Sequence, residues 1–321
     1  MKKILISLVC LLGMSMAANA VSNSDIILQH GSKITVFDAD NLHAALEAAV
    51  DGDVVFLNEG VYPTFEITKK ITVQGIGQLT VIDGNITIDI PNEPILTAPV
   101  LQYMQIKGKV EINSATRGLG IKQCVVSYIL YNEKTYDAYI DRCQVVGEKG
   151  LYIDKTYSET ITINDHGGTS IYPYVKGLTV TNSIIKVNSS EYSTNITFFN
   201  CYIYVTIYAE TLGTVINSIL YSSNVGHRYN AKLVNSYIPN SNELMSTCTT
   251  SECYFGGGNL SYDSEEIAAN GYYGTDGTII GPLGGTTPYT LVPDVPQVTV
   301  SNFKVDHQKQ ELNVTLTATP E

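Results

Sequence analysis

Val180-Thr-Asn182-Ser183-Ile-Ile185, Phe198-Phe-Asn200-Cys201-Tyr-Ile203, Val215-Ile-Asn217-Ser218-Ile-Leu220 and Leu233-Val-Asn235-Ser236-Tyr-Ile238 are four copies of one six-residue pattern. Each copy runs apolar residue, spacer, Asn, a small Ser or Cys, then an apolar pair or near pair. Outward from this stretch the pattern continues without its Asn. It reads Ile121-Lys-Gln-Cys124-Val-Val126, Ile140-Asp-Arg142-Cys143-Gln-Val145 and, more weakly, Ser251-Glu-Cys253-Tyr-Phe255. Successive Ser/Cys positions lie 19, 40, 18, 17, 18 and 17 residues apart. With one degenerate copy inside the long step, near Ile161-Thr-Ile163, the mean is about 18 residues, a solenoid period.

In such a coil the recurring Asn182, Asn200, Asn217 and Asn235 stack at one corner as a structural ladder. Asn tolerates the left-handed backbone conformation of a sharp corner, and its amide can bond to copies above and below. The flanking Val180, Ile185, Leu233 and Ile238 then point inward as core. A slot that accepts Ser and Cys alike selects small size, so Cys124, Cys143 and Cys201 read as packing residues. Cys248 and Cys253 are close enough in sequence to bridge locally, although Cys253 already holds the repeat slot. No C-x-x-C pair suggests a metal centre.

Upstream, residues 1–20 read as a secretory signal: Lys2-Lys3, the apolar run Ile4 to Met14, and Ala18-Asn19-Ala20 as a small-x-small cleavage site. Export to the periplasm, cell surface or medium is expected, with no membrane insertion after cleavage. Removal of the signal leaves 301 residues and moves the formal charge from -12 to -14. An acidic surface argues against nucleic acid and anionic membranes as partners, because both need a basic patch.

One helix is expected at residues 38–51, capped by Asp38 or Asp40 and ended by Gly52, with Leu42, Ala45, Leu46 and Ala49 on one face. From Asp53 the chain becomes brief β-branched runs separated by turn residues. Strands this short suit a coil in which each pairs in parallel with its counterpart one turn above.

The succession Leu42-His-Ala-Ala-Leu46, Gly52-Asp53, Glu59-Gly60-Val61-Tyr62, Lys70-Ile-Thr-Val-Gln-Gly75 and Thr80-Val-Ile-Asp-Gly84 resembles the opening of pectin-lyase-like right-handed parallel β-helix proteins. It is similar in particular to those that gut-dwelling Gram-negative bacteria export. The resemblance covers residues 40–88, and the period extends it to 255. It implies an all-β, right-handed single-stranded parallel β-helix of about a dozen rungs with an N-terminal capping helix. The coil is expected over 21–292. Gly281-Pro-Leu-Gly-Gly285 resembles the closing coil of such proteins. A proline-containing linker and a terminal hairpin follow at 293–321, the hairpin covering the last rung or pairing with another molecule.

The family includes lyases, hydrolases, esterases, tailspikes and adhesins, so fold does not choose among them. A polygalacturonase-like site needs Asp-Asp and Gly-His-Gly elements, of which only Asp165-His166-Gly167 is present. His166, tuned by Asp165, is a candidate acid/base, against the blander reading of an exposed turn. Arg142 is a candidate lyase base, but Asp141 has no acidic companion on the neighbouring rung, where Lys122 suggests an ion pair instead. Calcium enters only under the lyase reading. No other cofactor is implied.

Twenty-two tyrosines and no Trp leave Tyr157, Tyr172 and Tyr174, in the interrupted interval 152–176, as candidate glycan contacts. Tyr202 and Tyr237 are equally explained as strand formers. The leading expectation is therefore an exported, non-catalytic carbohydrate-binding or adhesive scaffold with a glycan or cell-surface partner. The alternatives are a polysaccharide lyase or hydrolase near Asp165, His166 and Arg142, and an architectural spacer or fibre subunit that self-associates through its terminal hairpin.

Overall fold

The computed structural model describes residues 25–90, 99–132, 135–153, 159–163, 168–172, 175–187, 196–205, 213–222, 231–240, 244, 248–290, 297–306 and 311–319. The chain is an all-β solenoid of parallel stacked coils. Two twelve-stranded sheets form its long walls. In the first, ten parallel strands succeed one another from Val54–Leu57 to Thr249–Ser251. The second runs from Gly60–Tyr62 to Tyr254–Phe255.

Strands of the first wall turn apolar residues inward, and in-register stacking makes columns of them. Ile140, Val180, Phe198, Val215 and Leu233 sit directly above one another, each with no exposed surface. The second wall stacks Val126, Val145, Ile185, Ile203 and Leu220 in the same way. An aliphatic column of this kind needs no specificity beyond period and volume, which is why the repeat tolerates Val, Ile, Leu and Phe interchangeably.

The head of the coil is closed by Ile26–His30, which pairs antiparallel with both Lys33–Phe37 and Val54–Leu57. The helix is shorter than the sequence suggests: a 3-10 turn at Ala39–Asn41, then Leu42–Ala48, with Leu42, Ala45 and Leu46 buried. No side-chain cap is made at Asp38 or Asn41, and Ala49 is already extended, so Gly52 lies beyond the stop. The helix end is held instead by Lys69, whose Nζ donates to the carbonyls of Leu46, Glu47 and Ala49 at 3.1, 2.6 and 2.6 Å. A cation there satisfies carbonyls that lack helical partners and opposes the dipole.

Among its described residues the 40-residue step holds no degenerate rung. Glu159–Ile163 pairs antiparallel with Gly168–Tyr172, as a hairpin set between stacked rungs, and Asp141 pairs directly with Thr181 across the step. Part of the excess is a bulge: Val126 and Tyr128 face Val145 and Gly150, so three extra residues enter before the hairpin. Ile161-Thr-Ile163 alternates as a strand does, but its partner is the next strand of the hairpin.

The segment after Phe255 is not a closing coil. It forms a short helix, Ser264–Ala269, and then returns along the outside of the solenoid: Thr275 lies at Asn217, Gly284 at Asn182 and Thr290 at Gln123. This strap covers an outward apolar column of the second wall. Ile184, Tyr202, Ile219 and Tyr237 are buried against Leu260, Ile267 and Ile280 as a second core, outside the first. The terminal strands Gln297–Asp306 and Glu311–Thr319 form a separate antiparallel hairpin. Thr290, the last described residue before it, lies beside Gln123.

Candidate functional site

The repeat corner is built from one backbone requirement. Gln123, Arg142, Asn182, Asn200, Asn217, Asn235 and Glu252 all have positive φ, between 43° and 52°. The N–H groups of the first six each donate to a carbonyl of the next rung, as Asn182 does to Phe199 at 3.0 Å and Asn217 to Val234 at 3.0 Å; Glu252 belongs to the last rung. Asn enters the left-handed region at lower cost than most residues. The amides of Asn182 and Asn217, however, face the strap and not their own copies. Asn182 Nδ2 donates to the Gly284 carbonyl at 2.7 Å, and Asn217 Oδ1 accepts from Thr275 N at 2.9 Å.

The next position explains why Ser and Cys alternate. Each side chain donates to the carbonyl two residues earlier, at 2.6 Å for Ser183, 2.7 Å for Ser218, 3.1 Å for Cys124 and 3.3 Å for Cys201. The serine hydroxyls also accept from the slot N–H of the preceding rung, Cys143 to Ser183 and Cys201 to Ser218, both at 3.0 Å. Burial pushes the thiols of Cys124 and Cys201 up to about 12, so at neutral pH they are protonated and unreactive. All five described cysteines are free. Cys248 and Cys253, with strand Thr249–Ser251 and the left-handed corner at Glu252 between them, are not bridged in this conformation.

Arg142 occupies the corner column. Its Nε donates to Asp141 Oδ2 at 3.1 Å, the two side chains being 12% and 20% exposed, and Asp141 Oδ1 accepts from Thr181 Oγ1 at 2.7 Å. A guanidinium held in this way supports the corner. It is a poor proton acceptor for lyase chemistry, because its positive charge is stabilised by the adjacent carboxylate. Lys122 pairs in register with Asp141, and its Nζ stands 5.0 Å from the centroid of the Tyr139 ring. Gly120 makes room for that ring: a Cβ there would meet Tyr139 Oη at 2.2 Å.

Asp165, His166, Tyr157 and Tyr174 lie outside the described residues, and Tyr172 is placed only as the strand partner of Glu159. At the foot of the hairpin, Val175–Lys176 joins Thr135–Tyr136 and Thr116–Arg117 in a small parallel sheet. Arg117 stands over the Tyr136 ring at 5.6 Å and its Nε is 3.4 Å from Asp137 Oδ2. This mixed-charge, aromatic ridge beside the insertion was not anticipated from the sequence. Its residues belong to no repeat column and meet only through register.

Tyrosines of the second wall serve the strap. Tyr202 Oη donates to Leu260 O at 3.0 Å, Tyr237 to Gly258 O at 2.7 Å and Tyr254 to Tyr273 O at 2.9 Å. Burial, then neighbouring tyrosines, raise the Tyr202 phenol well above its ordinary range. No group of three or more His, Cys, Asp or Glu suited to a metal ion occurs among the described residues.

No family model matches the chain, and no curated protein matches it in sequence. What the chain can do must therefore be argued from its own geometry.

Proposed function

We propose that this chain is an exported β-solenoid scaffold of the pectin-lyase-like kind that binds carbohydrate through the insertion between its Cys143 and Ser183 rungs. The observation that carries this reading is the antiparallel hairpin Glu159–Ile163 and Gly168–Tyr172, set between two rungs that still stack directly on each other. A coil that keeps its register across an insertion presents the insertion on a rigid base, the arrangement in which recognition loops are found. Aromatic residues Tyr152, Tyr157, Tyr172 and Tyr174 concentrate in that interval. Tyrosine supplies an apolar ring face for a sugar and a hydroxyl that can hydrogen-bond.

The side chains nearest to chemistry in the described coil are engaged structurally: Arg142 by Asp141, the buried thiols by backbone carbonyls, and the outer tyrosines by the strap. This favours a binding role over catalysis.

The test is a glycan array with the mature chain, at several pH values with and without calcium, beside a variant in which residues 154–174 are replaced by Asn-Glu-Lys. That tripeptide makes the equivalent connection, Asn132 to Lys134, in the rung before. Binding by the parent and its loss in a variant with unchanged far-UV circular dichroism is expected. Absence of binding by the parent, or release of unsaturated or reducing sugar ends by it, overturns the reading.

A further inference from the structure

We propose that Tyr204, Tyr221 and Tyr262, with Lys186 beside them, form a sugar platform on the second wall that takes a chain of neutral, equatorially substituted pyranoses. The platform uses no residue of the insertion at 154–174. The outer tyrosines fall into two groups. Tyr202, Tyr237, Tyr254 and Tyr289 donate their hydroxyls to Leu260 O, Gly258 O, Tyr273 O and Gln144 Oε1. The hydroxyls of Tyr204, Tyr221 and Tyr262 have no hydrogen-bond partner among the described residues.

Register and the strap bring these three together. Tyr204 lies in register with Tyr221, their ring centroids 5.0 Å apart and the planes tilted by 53°. Lys186 precedes Tyr204 in the same column. Tyr262 arrives on the strap, two residues after the carbonyl that Tyr202 bonds. The Tyr202 ring is the common contact, with centroid distances of 5.0 Å to Tyr204, 5.0 Å to Tyr262 and 6.0 Å to Tyr221. Tyr204 and Tyr221 are half-buried and Tyr262 is exposed. Burial, then the Tyr262 and Tyr221 phenols, raise the Tyr204 phenol, so it stays a donor at neutral pH.

The patch is chemically matched to a sugar. Each ring offers apolar surface next to an uncommitted hydroxyl, and a pyranose with equatorial hydroxyls offers C–H faces rimmed by O–H groups. Column positions recur about every 4.8 Å along the coil, so an extended chain meets successive groups. Lys186 makes no ion pair among the described residues, and its ammonium donates to sugar oxygens at the end of the row. Glu266, close enough to act on the Tyr202 phenol, offsets that single positive charge, which favours a neutral ligand. A protein partner needs about 800 Å² on each side, more than three partly covered rings of at most about 250 Å² each supply.

The test is isothermal titration of the full mature chain with cellohexaose and xylohexaose, and with hexagalacturonate as the charged probe. Binding of a neutral chain is expected, weakened about five- to tenfold by Tyr221→Ala and by Tyr262→Ala. The double variant Tyr204→Phe, Tyr221→Phe keeps the rings and removes two hydroxyls. It should bind more weakly than the parent with an unchanged near-UV circular dichroism spectrum. Replacement of 154–174 by Asn-Glu-Lys should leave this affinity as it is. No binding by the parent, parental affinity in the tyrosine variants, or tighter binding of hexagalacturonate than of either neutral chain overturns the proposal. Binding lost with the insertion but indifferent to the tyrosines overturns it too, while leaving the insertion reading in place.

Discussion

The side-chain amide of Asn182 donates to the carbonyl of Gly284 at 2.7 Å, across 102 residues of chain. Together with the Asn217–Thr275 pair it makes the corner ladder a docking rail for the strap. Each Asn thus has two tasks. It supplies the left-handed corner locally, and its amide receives a distant segment.

Asn217→Ala removes both functions. It places Ala at φ 50° and leaves Thr275 N without its acceptor. A left-handed non-Gly residue costs about 1–2 kcal/mol and, Thr275 being exposed, the lost hydrogen bond about 0.5–1.5 kcal/mol. Urea denaturation should show a loss of roughly 2 kcal/mol. Asn217→Gly, which relieves the backbone share, should lose about half as much, and equal losses in the two variants would contradict the division.

Gly285→Ala tests whether the strap needs its close approach. Gly285 has φ +78°, and a Cβ would stand 2.3 Å from Asn200 Nδ2, on a side chain only 1% exposed. The strap must lift there, at a cost of about 2 kcal/mol by the usual scale of backbone strain and overpacking. Limited proteolysis should cut within 256–290 faster than in the parent, while the coil before 255 stays resistant.

Lys69→Met retains most of the apolar stem but removes three carbonyl contacts at the end of the head helix. A loss of about 1–2 kcal/mol is expected from hydrogen bonds to a charged group. Amide exchange should accelerate at 42–49 and remain unchanged at the Asn corner. Uniform acceleration would mean that the head is coupled to the whole coil.

Alkaline pH should destabilise the fold in a defined window. Burial raises Cys124 and Cys201 from 9.0, and Tyr289 from 10.0, to about 12. Between those limits the unfolded chain loses protons that the folded chain keeps, so the unfolded state binds fewer protons and stability falls as pH rises. The stabilisation is fully present below pH 9 and declines toward pH 12. Urea midpoints at pH 7, 9 and 11 should be similar for the first two and lower for the third, and iodoacetamide should label Cys124 and Cys201 only after unfolding.

Several features were legible in the sequence because their causes are local. A corner that needs positive φ in every rung selects Asn repeatedly, and an inward position stacked in register selects Val, Ile, Leu or Phe repeatedly. Repetition made both visible without any knowledge of contacts. Helix length was misjudged because its stop is set by Lys69, which lies 20 residues from Ala49. Ile161-Thr-Ile163 was ambiguous for a related reason: alternation announces a strand but not its partner. The foot of the hairpin, Arg117 with Tyr136 and Asp137, left no sequence signal at all.

The sequence by itself therefore determined the solenoid, its period, its core columns and the asparagine corner, since all four follow from backbone and burial demands that recur about every 18 residues. Only the tertiary structure decided what the corner faces. Residues 256–290 carry the glycines and prolines of ordinary turns. Their role appears when the coil has formed and its outward column of Ile184, Tyr202, Ile219 and Tyr237 must be taken out of water. That burial, with the amides of Asn182 and Asn217 beside it, draws the strap back along the coil and leaves Thr250 and Phe255 at an open end.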